Sequence, residues 1–338
     1  MMSCQSFNRD LPIIGSATNC LAFPKRCPEL ALTDLTEEAI TFVEAEMAIA
    51  RCDFARAREL AESLLFDDHY ILAAVRLVVI AAIGLDDAAL FDHALRALAD
   101  YRQRNPHRYS ALGVEIMEAW LKQWLWIATG YPEWMYRFDL SHVPEEWRQV
   151  AAYIGMKIRI SQGNFESAYA ASSLLVNFVC PKEGISAECA YAKIACAIAC
   201  RETGRQGEMR KWLEAMVRLL VPHGFLLPLV MLMHGPNKSV VEESIEKIAP
   251  ERLPRYKDES KRFFKNQIRI RNHHTGEKIT QELTLREFYL AMLLKRGMAY
   301  KELADRFGVS VGRLRNLVSN VYEKLGIHRR SELDALVW

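Results

Sequence analysis

Three things are missing from this chain of 338 residues, and each argues against a class of protein. No window approaches the roughly 18 uninterrupted apolar residues that a membrane-spanning helix needs, so no membrane partner is expected. The nucleotide and catalytic signatures are absent: there is no G-x-x-x-x-G-K-[ST], no G-x-G-x-x-G, no H-E-x-x-H and no G-x-S-x-G. An enzyme reading therefore has nothing to rest on, and no cofactor is implied. Alternating Val/Ile/Thr stretches are missing too, so no segment reads as a strand. Residues 1–30 hold short apolar stretches such as "LPIIG", but not a basic start followed by a continuous apolar run.

Cysteine is present without a pairing pattern. Eight cysteines at irregular spacing, in a long chain with no secretory leader, point to reduced thiols and a cytoplasmic location. Cys189, Cys196 and Cys200 share one helical face, but no His, Asp or Glu nearby completes a metal shell. They are expected to pack in the core, and no metal is expected. The pair His273–His274 stands in a basic stretch and reads as solvated.

Charge is unevenly placed. The net charge is +2, yet residues 251–338 carry 19 Lys+Arg against 11 Asp+Glu, a net +8, leaving 25 against 31 in the rest, a net −6. An acidic body with a basic tail favours a polyanion as the tail's partner.

Residues 31–250 are patterned for helix. "TDLTEEAITFVEAEMAIARCDFARARELAESLL" opens on a Thr or Asp cap with acidic residues in the first turn, and Ala, Leu and Ile then recur at three-and-four spacing. Short polar turns precede apolar helices near residues 53, 86, 164 and 206, with room for another at "TGYPEW". The spacing, about 35 to 42 residues, is that of a stacked helix-hairpin repeat. "QGNFESAYAASSLL" resembles the second helix of a tetratricopeptide unit. The expected body is tetratricopeptide-like, with an irregular helical bundle as the alternative. Five of the seven tryptophans fall between Trp120 and Trp147. Two readings stand: Trp120, Trp124 and Trp134 line a pocket for a small-molecule effector, or they fill the space between helices.

Pro250 and Pro254 close the body. Residues 251–276 read as a basic connector, helical around Asp258–Ile270, whose charge either follows phosphates or is simply solvated. "ELTLREFYLAMLLKRG" is a punctuated helix: Thr284 and Glu287 make a T-x-x-E capping box and Gly297 supplies the stop. Then "ELADRFGVSVGRLRNLVSNVYEKLG" breaks one helix at Gly308 and restarts it at once. Leu303, Ala304, Phe307, Gly308, Val309, Leu314 and Leu317 occupy the apolar, small and Gly positions of a helix-turn-helix. Gly308 permits a positive φ, Val309 fills the angle, and Ser310 caps the new helix. Such a turn lets one helix enter the major groove of DNA. On that helix Leu314, Val318, Val321 and Leu325 form one stripe, and Arg315, Asn316 and Ser319 fall mostly opposite. Arg pairs with guanine and Asn with adenine, while Arg313 near the helix start suits a phosphate.

At these residues the tail resembles the DNA-binding domain of LuxR-type transcriptional regulators. Leu283-Thr284, Arg286-Glu287, Gly297, Lys301-Glu302, Ala304, Ser310, Asn320, Lys324-Leu325-Gly326, Arg330 and Glu332 stand where that family has them. The resemblance implies an all-α chain ending in a four-helix domain over 277–338. Its third helix would read double-stranded DNA, as a homodimer on a two-fold-related site. Carried over by position, Arg315, Asn316 and Ser319 face bases, and Lys301, Ser310 and Arg313 hold the DNA backbone. Some positions depart from the family: Leu285 stands for Pro, Ala299-Tyr300 for Ser-Asn, and Arg313 and Leu317 for Thr and His. Losing the Ser cap costs about 1 kcal/mol. The expected protein is a bacterial, cytoplasmic regulator whose helical body senses a small-molecule or protein effector, with RNA polymerase a further partner. The alternative is an interaction scaffold that binds nucleic acid weakly and without sequence preference.

Overall fold

The computed structural model describes residues 11–14, 36–127, 130–179, 187–232, 236–276, 283 and 285–335. Among them there are helices and turns and no strands. Most of residues 1–30 and Thr284 of the expected capping box lie outside the described residues.

The first helices follow from their caps. Thr36 Oγ1 accepts from Ala39 N–H and opens α1 (Glu37–Ala50), which carries Glu37 and Glu38 in its first turn. Asp53 caps α2 (Phe54–Ser63) in the same way. Next come α3 (Ile71–Leu85) and α4 (Ala88–Arg104), separated by Asp86 in the left-handed region and Asp87, whose carboxylate accepts from Leu90 N–H. Fourteen of the fifteen residues of α3 are buried, so it is the central rod of the body, not a surface helix. α5 (Arg108–Trp124) follows. The interval around "TGYPEW", expected to hold one short turn, instead contains the five-residue α6 (Glu133–Arg137) and a 3₁₀ turn at Glu145–Trp147. Then α7 (Arg148–Ser161) pairs with α8 (Phe165–Leu174), and α9 (Ala187–Glu202) with α10 (Gln206–Leu220). The breaks near 53, 86, 164 and 206 each join two consecutive helices that touch. α11 (Leu227–Val230) and α12 (Pro236–Ile248) complete the body.

Residues 251–276 are helical, as expected around Asp258–Ile270, and Lys257, Lys261 and Lys265 are exposed, but the helix packs into the body and is not a free connector. Leu253–Thr275 form one helix, α13, that ends at Gly276 with φ 71°. Tyr256, Phe263 and Ile270 lie in the same core as α1–α10. The Phe263 ring stacks on Phe54 of α2 at 5.6 Å and meets Trp124 of α5 edge-on at 6.1 Å. Asn266 Nδ2 donates to the Gly84 carbonyl at 3.3 Å and Gln267 Nε2 to the Trp124 carbonyl at 2.6 Å. Those carbonyls end α3 and α5, where a helix has no internal donor left.

The tail has its own core. α14 (Leu285–Lys295), α15 (Tyr300–Phe307), α16 (Val311–Leu325) and a 3₁₀ turn at Arg330–Ala335 enclose Phe288, Leu294, Leu303, Leu314, Val321 and Leu333.

No helix among the described residues is long and apolar enough to cross a membrane.

Candidate nucleic-acid interface

Local rules fix the corner between α15 and α16. Gly308 sits at φ 62°, ψ 40°, the left-handed conformation that a side chain disfavours. Val309 N–H donates back to the Ala304 carbonyl at 3.0 Å, so the chain turns within one residue. Ser310 is extended, and its Oγ accepts from Arg313 N–H at 3.2 Å. That leaves the hydroxyl proton available to a phosphate oxygen. Leu303, Ala304 and Leu314 are fully or almost fully buried at the crossing, with Val309, Phe307 and Leu317 packed around it.

The N-cap of α15 is Ala299, but the cap is not empty. Ala299 offers no side-chain acceptor, yet the Glu302 carboxylate accepts from Ala299 N–H at 3.0 Å. One half of a capping box survives. Elsewhere the tail is tied by its charged residues. Lys324 of α16 pairs with Glu287 of α14 at 2.8 Å. Arg330 donates to the carbonyls of Leu294 and Met298, and Glu332 accepts from His328 N–H.

The outward face of α16 is open. Arg313, Arg315, Asn316, Ser319 and Asn320 are exposed, while Leu314, Val318 and Val321 on the opposite stripe are buried. Lys301, at the start of α15, and Ser310 are exposed as well. The six residues expected to meet DNA therefore all reach solvent. Guanidinium and amide groups on one open helix face suit base edges, and a lysine at a helix start suits a phosphate. On α13 a second basic row, Lys257, Lys261 and Lys265, is exposed at four-residue spacing.

The tryptophans are placed differently from the pocket reading. The rings of Trp120 and Trp124 meet at a tilt, 5.1 Å apart, inside the body core, 4% and 3% exposed. Trp134 packs against that core, and its Nε1 donates to Glu115 at 3.3 Å. They fill space between helices because two rings one turn apart on α5 face the body's centre. Trp126, in contrast, does line a cavity, and its ring lies between Phe264 at 4.9 Å and Phe288 at 5.9 Å. Cys196 and Cys200 are buried and free; burial, then Cys196, pushes the Cys200 thiol up to about 12. The Cys189 side chain is outside the described residues. No group of three or more potential metal ligands occurs among the described residues.

Sequence reasoning missed the joint between body and tail. Arg306 of α15 pairs with Glu202 at the end of α9, and Arg201 binds the same carboxylate oxygen at 2.5 Å. Burial alone would raise the Glu202 carboxyl, but Arg201 and Arg306 outweigh it and hold it below the usual glutamate range. Nothing in the sequence announces a contact across 104 positions.

No protein-family model, curated protein or solved structure matches the chain.

Proposed function

We propose that the chain is a sequence-specific DNA-binding transcriptional regulator, with residues 277–338 a LuxR-type helix-turn-helix domain and the tetratricopeptide-like body a sensor. α16 lies in the major groove, Arg315, Asn316 and Ser319 read base edges, and Lys301, Ser310 and Arg313 hold phosphates. Two copies bind a two-fold-related site. One observation carries this reading: a glycine-cornered helix pair whose second helix buries Leu314, Val318 and Val321 and leaves Arg313, Arg315, Asn316 and Ser319 exposed. The +8 charge of residues 251–338 supports a polyanion as partner.

Selection of bound fragments from a random duplex pool with the purified chain tests it. A regulator enriches a two-fold-related sequence over random duplex by about 10³-fold or more. Salt-sensitive binding with no sequence preference would instead identify an interaction scaffold.

A further inference from the structure

A cavity of about 150 Å³ lies where the tail meets the body. The tail supplies Phe288 and Met292 of α14 to its wall; the body supplies Trp126, Tyr153, Tyr191 and Phe264 among others. The Trp126 ring is tilted by 34° to Phe264 and by 35° to Phe288, so three aromatic rings lie close together in the lining. An apolar cavity of this size accepts a guest about as large as benzene.

One charged side chain lines it, Lys157 of α7. Burial lowers its ammonium to about 8, and the like charge of Arg296 adds to the effect. It is still mainly protonated at neutral pH, and no hydrogen bond or ion pair engages it among the described residues. A cation in apolar surroundings without a counter-charge is costly, and an anion beside it relieves that cost.

We propose that this cavity binds a small aromatic monocarboxylate, its ring among Trp126, Phe264 and Phe288 and its carboxylate on Lys157, and that the bound molecule holds the tail against the body. The second half follows from where the walls come from. A released tail takes Phe288 and Met292 with it, so the ligand has higher affinity for the docked form and shifts the population toward it. The binding stands without the regulator reading; only the consequence for DNA rests on that reading.

The test uses the full chain labelled with ¹³C at methionine methyls, because Met231 and Met292 both line the cavity. Benzoate is titrated beside benzamide, its neutral counterpart, and Met292→Leu assigns the tail signal. Benzoate is expected to shift the Met231 and Met292 signals saturably. It should bind about tenfold or more tighter than benzamide, the ratio that one charge-assisted hydrogen bond supplies. Lys157→Met removes that preference while benzamide binding persists. Hydrogen exchange in α14 and α15 slows when benzoate saturates. No saturable shift at these methyls, or equal affinity for benzoate and benzamide, overturns the site. Saturation without slower exchange in the tail overturns the locking. A chain that binds benzoate yet selects no duplex keeps this proposal and removes the regulator reading; the reverse result does the opposite.

Discussion

Replacing Glu202 with Gln keeps the shape of the joint between body and tail and removes the negative charge between Arg201 and Arg306. The side chains of Glu202, Arg201 and Arg306 are 7%, 11% and 12% exposed, so water screens little of the interaction. Taking one partner from a buried ion pair costs about 3–5 kcal/mol, because the remaining charge is left uncompensated. Arg201 belongs to α9 and stays where it is, whereas Arg306 can leave with the tail. If half of the cost falls on docking, roughly 2 kcal/mol, the docked-to-released ratio drops about thirtyfold. Native-state hydrogen exchange reads this directly: amides of α14–α16 should exchange about thirtyfold faster while α3 is unchanged. In a double-mutant cycle with Arg306→Gln, the combined effect should fall well short of the sum. The sign of the pH dependence is also fixed. The Glu202 carboxyl is held low in the folded chain, so its contribution is complete above the ordinary glutamate value of about 4.3 and lost as pH falls through the depressed one. The unmodified tail should stay docked from neutral pH to about 5 and loosen in stronger acid. The Gln variant should lack that acid step. Unchanged tail exchange, or strict additivity in the cycle, would refute the reasoning.

Four other substitutions test separate parts. Arg315→Ala should weaken a preferred site by about 1–3 kcal/mol and relax its base preference, measured by repeating the fragment selection; an unchanged profile contradicts its assignment. Lys301→Ala should weaken all duplexes alike and flatten the salt dependence, and an effect confined to one sequence would remove the phosphate role. Gly308→Ala places a side chain at φ 62° with no atom within 4 Å of it. Its cost is therefore backbone strain of about 1–2 kcal/mol, visible as a lower melting temperature of the tail, and an unmoved transition would mean that the corner is not left-handed. Gly84→Ala would put a methyl inside the Phe54 ring, displacing it from Phe263 at about 1–3 kcal/mol or more to the body. Equal thermal stability would argue against that packing.

The corner at Gly308 was legible because every local rule there agrees: the buried stripe, the αL glycine, the Ser310 cap and the exposed Arg and Asn each point to the same geometry. In the stretch 251–276 the helix was legible but its burial in the body was not, and the reason is specific. The inner face of α13 buries Glu259, Ser260, Asn266, Gln267 and Arg271 beside Tyr256, Phe263 and Ile270. Asn266 and Gln267 face inward to meet the carbonyls that end α3 and α5. That need replaces apolar residues by amides and dilutes the period from which burial is read. The tryptophans were ambiguous for another reason. Indole at helical spacing has the same signature in a core and at a cavity wall, and only the backbone separates Trp124 from Trp126.

Trp126 has φ 53°, a conformation that costs a residue with a side chain about 1 kcal/mol or more. It follows the last turn of α5, where its N–H donates to the Gln123 carbonyl and Ile127 N–H to that of Lys122, a stop in which glycine is usual. The strain persists because it turns the indole away from the main core and onto Phe264 of α13 and Phe288 of the tail at once. α13 is held in the core along its length, so separating the tail leaves α13 in place and breaks contacts that include two sites among the described residues. One is the aromatic cluster at Trp126, beside the cavity and Lys157; the other is the pair between Glu202 and Arg306. A signal acting at either site then changes the freedom of α16 without touching its exposed face. On the proposed reading, that arrangement would let the helical body govern α16 while leaving the exposed Arg315 and Asn316 unobstructed.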